Sequence, residues 1–262
     1  MIKFNIATDA RPQVRTLLIA TAITIALWFI PFADVLTYPF RIFVTFIHEG
    51  GHALAATLTG NAVQSLTISM DGSGEVYSTA GGLFSKMFIS SAGYLGAMTF
   101  GALLLVLIRR TVAARLVLAS SGALILALTL IFGLLGPLWN IKLPGLFTLI
   151  SGLALPLGLF AAARYASPRA ASFLVSFLAV QCVLNSLLDL KTVFFLSSPF
   201  APNVPTDALN MAQATGIPAI IWAILWVALA FLILSLALRA YAVSRKHNVP
   251  QPDLPFEETA EA

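Results

Sequence analysis

Charged residues are scarce in this chain of 262 residues: only 10% are Asp, Glu, Lys or Arg, whereas 59% are hydrophobic. Soluble globular domains carry about 25% charged residues, so this composition excludes an ordinary soluble domain and indicates a polytopic membrane protein. The formal net charge of +4 comes from lysines and arginines near the ends of apolar runs. Such a distribution favours the lipid bilayer with its anionic headgroups as a partner and argues against nucleic acid.

Cysteine is nearly absent as well. Cys182 is the only one, so no disulfide can form within the chain. Residues 1–15 form a polar N-terminal segment, and the apolar run after them is longer than the core of a signal peptide. We therefore interpret this run as a retained membrane span.

Long apolar runs dominate the rest of the chain. A helix needs about 20 apolar residues to cross the hydrocarbon layer. This length predicts an all-α polytopic membrane protein of about six to seven transmembrane helices, drawn from seven segments: 16–38, 41–58, 83–108, 112–135, 145–164, 170–196 and 217–241. Residues 16–244 would form a single membrane-embedded domain, and the polar residues 245–262 a disordered tail.

A polar stretch at about 64–78 interrupts this pattern. Leu66, Ile68 and Met70 alternate with polar residues, and Asp71-Gly72-Ser73-Gly74 supplies the chemistry of a tight turn. The alternation predicts a small β-hairpin. Its backbone cannot face lipid, so we expect it at the membrane surface or covered by the spans.

The most informative motif lies in the second segment. His48-Glu49-Gly50-Gly51-His52 is an H-E-x-x-H sequence, and the chain has only three histidines in all. Residues four apart share one face of a helix, so His48 and His52 can bind one Zn²⁺, with Glu49 beside them as the general base. The structural alternative is two histidines bonded to neighbouring spans, with Glu49 as their counter-charge.

A catalytic zinc usually has a third protein ligand. Asp189 is the best candidate, because Gln181, Asn185 and Asp189 form one polar stripe along the sixth segment. An ion pair with Lys191 would be its structural alternative. Asp207 is the rival ligand, although Thr206-Asp207 resembles the cap of a short surface helix that ends near Gly216.

These residues resemble the site-2 protease family of intramembrane zinc metallopeptidases, in its compact bacterial "peptidase M50B-like" branch. The resemblance spans positions 41–218 and rests on five blocks: 48–55 with Thr59-Gly60, the Gly72-Ser73-Gly74 turn, Ser91–Ala97, Leu188–Leu190 and Thr206–Ala208. The histidine motif is the specific block and the others are loose. The family's usual proline-rich segment before the Asp-Gly is missing before Asp189-Leu190.

The resemblance implies that Zn²⁺ is bound by His48, His52 and Asp189 and that Glu49 acts as general base. The protein would then be a multi-pass enzyme of the bacterial cell membrane, cutting peptide bonds of membrane-protein or peptide substrates. In the family, the span containing Gly93 and Gly96 borders the active site, although glycines in a span also serve close helix packing.

Two other classes of function remain open from the sequence. One is a polytopic transporter or channel with the metal site on an ion path, and the other is a metal-binding membrane protein without proteolytic activity. A transport role gives no reason for Glu49 between the histidines. The sequence does not determine the oligomeric state.

Overall fold

The computed structural model describes residues 11–27, 29–79, 81–109, 113–198 and 204–242. The predicted tail at 245–262 lies outside these residues, as do residues 1–10 of the predicted N-terminal segment. Residues from Arg11 onward already belong to the first helix.

The described residues form mainly α-helix with one small antiparallel hairpin, which confirms the predicted fold class. The helices are α1 (Arg11–Leu27), α2 (Asp34–Leu58), α3 (Leu83–Arg109), α4 (Ala114–Leu128), α5 (Gly136–Trp139), α6 (Leu146–Tyr165), α7 (Pro168–Leu196), α8 (Asp207–Thr215) and α9 (Ala219–Ala242). A π-helical segment, Thr129–Leu135, joins α4 to α5. The strands are β1 (Val63–Ile68) and β2 (Gly74–Ser78).

Within the described residues, five helices are long and apolar enough to cross a membrane, and they correspond to the last five predicted segments: Leu83–Ile108, Ala114–Trp139, Leu146–Tyr165, Pro168–Leu196 and Ala219–Tyr241. The first two segments differ from the prediction. The apolar part of α1, Val14–Leu27, is shorter than a full span. Helix α2 has 25 residues but carries Asp34, Arg41 and Glu49 along its length.

Helix α2 lies at the centre of the molecule. Ile42, Phe43 and Phe46 are each at most 2% exposed and pack in the main hydrophobic cluster with residues of α3, α4 and α7. Because neighbouring helices cover this part of α2, Glu49 and His52 are buried in protein instead of facing lipid.

The hairpin lies against α2, as an element with unpaired edges must in a membrane protein. Its strands pair with Leu66 opposite Val76 and Ile68 opposite Gly74, and Gly72 has a φ of 88° in the turn between them. Thr148 of α6 bonds both backbone groups of Ile68, accepting from its N–H at 2.8 Å and donating to its carbonyl at 3.3 Å. The spans therefore cover strand β1, whereas Met70 in the turn and Tyr77 on β2 are 74% and 50% exposed, so the hairpin is covered on one side only.

Three side chains of α2 hold the hairpin turn in place. The Tyr38 hydroxyl donates to the Met70 carbonyl at 2.6 Å, Arg41 Nη2 to the Asp71 carbonyl at 3.0 Å and the Thr45 hydroxyl to the Gly72 carbonyl at 2.8 Å. These donors lie on one face of α2, about one turn apart. The hairpin is thus fixed on the same face that carries the histidine motif one turn further on.

Candidate metal centre

Helix α2 presents the histidine motif as the spacing predicts. His48 and His52 lie one turn apart, and their Nε2 atoms are 3.1 Å from each other. Their rings meet nearly edge to face, with centroids 4.8 Å apart. Both nitrogen atoms can therefore point at one ion.

Each histidine ring is held by a neighbour on α3. His52 Nδ1 lies 2.7 Å from the Ile89 carbonyl oxygen. A carbonyl only accepts, so Nδ1 carries the proton and the Nε2 lone pair stays free for a metal. The His48 ring packs edge-on against Tyr94, with centroids 4.6 Å apart. Helix α3 thus orients the rings without occupying the ligand atoms.

The third group in this cluster is Asp207. Its Oδ2 atom lies 3.3 Å from His52 Nε2 and 3.7 Å from His48 Nε2. Burial raises the pKa of Asp207, but the two histidines lower it more, so the net pKa lies below the ordinary value of a carboxyl. Asp207 is therefore an ionised carboxylate at neutral pH, which is the form that binds a metal.

The local structure explains how Asp207 reaches the histidines. Asp207 is the first residue of α8, and the Thr206 side chain caps this helix by accepting a hydrogen bond from the Leu209 N–H at 3.2 Å. Gly216, with a φ of 73°, ends the helix in the left-handed conformation. The predicted short helix with a Thr206 cap therefore exists, but its first turn points at the metal centre.

The group of ligand atoms that lie close together differs from the predicted ligand set. His48, His52 and Asp207 offer ligand atoms that all lie within 4.8 Å of one another. Asp189 is not in this group, which is the only one of its kind among the described residues. It lies on α7, in the wall of a neighbouring cavity. Asn185 and Asp189 of the polar stripe line this cavity, but the chain after α7 returns to the histidines and brings Asp207 closer to them.

The donor set fits zinc. With Zn–N and Zn–O distances of about 2.0–2.2 Å, the ligand atoms of a tetrahedral site lie about 3.3 Å from each other. The three separations here are 3.1, 3.3 and 3.7 Å. Two imidazole nitrogens and one carboxylate oxygen are also the ligand types of many catalytic zinc sites. His48, His52 and Asp207 are therefore suited to hold the ion.

Glu49 lies beside the cluster, with 5% of its surface exposed. Its side chain rests against Gly74 at the start of β2, where a Cβ would come within 2.7 Å of Glu49 Oε1. Two cavities meet at His48 and Glu49. The α7 cavity, of about 310 Å³, also includes Asn185 and Asp189; the α8 cavity, of about 430 Å³, also includes His52, Asp207 and Asn210.

Two residues of α3 belong to the site in ways that the sequence did not reveal. A Cβ on Gly93 would overlap Nε2 of both His48 and His52, so this glycine lets α3 approach the histidines. Tyr94 lines both cavities, touches His48 and interacts with the Asp207 carboxylate. The signal for them in the sequence is the block Ser91–Ala97: the resemblance places its span beside the active site, although helix packing is the expected role of Gly93 itself.

The site combines membrane-spanning helices, a cluster of metal-ligand atoms and an adjacent buried carboxylate. This combination is typical of a membrane-embedded metallopeptidase. The model of the Peptidase M50B-like family matches residues 17–237, which include His48, Glu49, His52 and Asp207 and all but the last residues of the final span. The chain belongs to this family of membrane peptidases. No curated protein and no solved structure matches it.

Proposed function

We propose that this protein is an intramembrane zinc metalloprotease that hydrolyses peptide bonds of membrane-spanning substrates in a bacterial cell membrane. Its zinc ligands would be His48, His52 and Asp207, and Glu49 would be the general base. The observation that carries the proposal is the convergence of three ligand atoms within 4.8 Å beside a buried glutamate, in a chain of the Peptidase M50B-like family.

Each group has a definite task in the reaction. A bound zinc ion would supply Lewis acidity, polarising the scissile carbonyl and making a water molecule more acidic. Glu49 would accept a proton from the attacking water as its oxygen bonds to the carbonyl carbon. As the C–N bond breaks, Glu49 would return that proton to the leaving amine. The His52–Ile89 hydrogen bond would keep the ligand nitrogen in its unprotonated form throughout.

The two adjoining cavities both reach Glu49, and His48 and Tyr94 also line both of them. A peptide segment in one cavity would lie beside Glu49 while water enters from the other. A peptide bond in an intact helix is shielded by the surrounding turn. We therefore expect substrates whose spans contain helix-weakening residues such as glycine or proline near the cleaved bond.

Glu49→Gln tests the proposal. Glutamine keeps the shape of glutamate but cannot take up the proton, and a positioned general base contributes about a hundredfold to ten-thousandfold. We expect this variant to retain about one equivalent of zinc by elemental analysis and to lose cleavage of a model membrane-spanning peptide. Asp34→Asn, which makes the same carboxylate-to-amide change at an exposed position at the start of α2, is the matched control and should keep cleavage.

The contrary outcomes are distinct. Full activity in Glu49→Gln would exclude the motif as the catalytic centre. A wild-type protein with full zinc occupancy and no activity on such peptides would favour the non-proteolytic, metal-binding alternative. Zinc retained in the double variant His48→Ala, His52→Ala would rule out this metal site.

A further inference from the structure

Asp189 has no task in the proposed chemistry, yet it faces the reaction site. It lies two turns before the end of α7, where it lines the α7 cavity together with His48, Glu49 and Asn185. Its residue surface is exposed, and its charge interacts with His48 and Tyr94 across this cavity. The carboxylate is therefore accessible to a molecule bound next to Glu49.

Within the described part of the chain, no hydrogen bond or ion pair engages this carboxylate. Lys191 is two residues away on the same helix, and residues at that spacing point in different directions. The Asn185 amide donates instead to the backbone carbonyl and side chain of Gln181, at 2.8 and 3.1 Å. Arg41, on the opposite wall, donates to the Asp71 carbonyl and stacks on Tyr38. Asn185 and Arg41 are thus each engaged by another partner.

The positive charge of a bound metal ion would not neutralise the Asp189 carboxylate either. A divalent ion on His48, His52 and Asp207 would be neutralised by the two carboxylates beside it, Asp207 and Glu49. Asp189 would remain as a surplus negative charge on the cavity wall. Unpaired carboxylates are costly in membrane helices and are kept mainly where they meet a ligand or line a path.

We propose that Asp189 is a specificity residue that binds the cationic side chain of a substrate lysine or arginine near the cleaved bond. This inference rests on the proposed proteolytic function. Lysine and arginine side chains near either end of a membrane span can extend to the interface, and Asp189 lies near the end of α7. A long basic side chain can extend along an apolar wall while its charged group meets the carboxylate.

Binding and cleavage of charge-matched peptides test the proposal. The probes are membrane-spanning peptides with a glycine-weakened centre and blocked termini, each carrying one Lys, Gln or Glu at successive positions around that centre. Binding is measured by fluorescence anisotropy in detergent on the Glu49→Gln background, and cleavage on the active protein. The series compares wild type with Asp189→Asn, Asp189→Lys and the control Asp34→Asn, an exposed aspartate at the start of α2.

We expect at least one Lys peptide to bind about tenfold more tightly than its Gln counterpart, as for a partly desolvated charge pair. Asp189→Asn should bring this ratio to about one, Asp189→Lys should reverse it in favour of the Glu peptide, and Asp34→Asn should leave it unchanged. Zinc content and melting temperature should match wild type in Asp189→Asn.

Three results would overturn the inference: no preference for Lys in the wild type, a preference that survives in Asp189→Asn, or loss of zinc in Asp189→Asn. The last would make Asp189 a metal ligand. Cleavage without any charge preference would refute this inference alone, whereas charge-selective binding without cleavage would refute only the proposed proteolysis.

Discussion

Gly93 sets the distance between α3 and the two histidines. No side chain could stand at this position without displacing His48 and His52, because even a Cβ would overlap the Nε2 atom of each ring. Gly96, one turn further along α3, is different: its Cβ would lie 3.6 Å from the Gly51 Cα atom, an ordinary contact. Gly93 is therefore required by the position of the two histidines, whereas Gly96 only allows ordinary packing of α3 against α2.

We expect Gly93→Ala to lower zinc affinity by at least about tenfold, because both ligand nitrogens must move, and misplaced ligands typically cost this much. Competition titration with a chelator of known affinity measures it. Gly96→Ala makes the same chemical change on the same helix and should bind zinc like wild type. Equal affinities in the two variants would contradict the close approach seen at Gly93.

Two of the three candidate ligands could be predicted from the sequence, and the third could not. The His48–His52 pair follows from helix periodicity, because residues four apart share a face whatever surrounds the helix. The third ligand depends on which distant segment returns to that face. Asp189 and Asp207 both precede apolar residues, and only the path of the chain after α7 brings one of them to His52.

Metal content decides between the two carboxylates. Asp207→Asn should lose most of its zinc, because an amide oxygen is a much weaker ligand than a carboxylate, while Asp189→Asn should keep about one equivalent. Elemental analysis of both purified variants measures this directly. Zinc lost only from Asp189→Asn would restore the ligand set that the sequence had favoured.

Among the elements, α8 is short for the task that it performs. It has nine residues, fewer than an isolated helix needs for stability, yet it carries Asp207 in its first turn. Its stability depends on its ends and on packing: Thr206 caps the start, Gly216 the end, and Ala208 and Met211 are buried among residues of α3 and α9. The cap is therefore expected to influence the metal site.

Thr206→Ala should weaken zinc binding by a factor of about five, since loss of such a cap costs about 1 kcal/mol and frees the turn that carries Asp207. Ser167→Ala is the matched control, because the Ser167 hydroxyl caps α7 in the same way, accepting from the Ala170 N–H at 3.2 Å. It should lower thermal stability but leave zinc affinity unchanged. If Ser167→Ala weakened zinc binding equally, the effect would be one of global stability.

The hairpin could be predicted from the sequence, but the boundary between α1 and α2 could not. The hairpin was predictable because alternation and turn residues are local signals. The boundary between the first two helices was not, because one apolar run continues through it. Pro39, where the two predicted segments separate, lies inside α2, and the chain breaks earlier, around Pro31 and Phe32, which has a φ of 65°.

For the whole molecule, the described arginines near the ends of the five spans lie at one end. The described arginines at the helix ends are Arg109 and Arg115 between α3 and α4, Arg164 and Arg169 between α6 and α7, and Arg239 in the last turn of α9. Successive spans alternate in direction, so all of these share one end. Three described lysines lie at the other end: Lys86 near the start of α3, Lys142 between α5 and α6, and Lys191 near the end of α7.

Helix α1 adds Arg15 to the same end. Gln181 of α7 donates to the Thr24 hydroxyl at 3.1 Å, and Ala20 is buried with Phe177 and Val180, up to one turn earlier on α7. Thus α1 runs parallel to α7, and Arg15 lies towards Arg169. If all seven predicted segments crossed the membrane in alternating directions, Arg15 would lie opposite the other arginines. Because α1 runs parallel to α7, Arg15 lies at the same end as they do.

This asymmetry predicts that the arginine-bearing end faces the cytoplasm, because positively charged loops are retained on that side. Two single-cysteine variants test it, both on a Cys182→Ala background that removes the buried native thiol. Leu143, 94% exposed between α5 and α6, and Tyr165, 81% exposed at the end of α6, mark opposite ends. A membrane-impermeant maleimide should label Leu143→Cys in sealed right-side-out vesicles and Tyr165→Cys only after the vesicles are opened. The reverse pattern would mean that these arginines do not set the orientation.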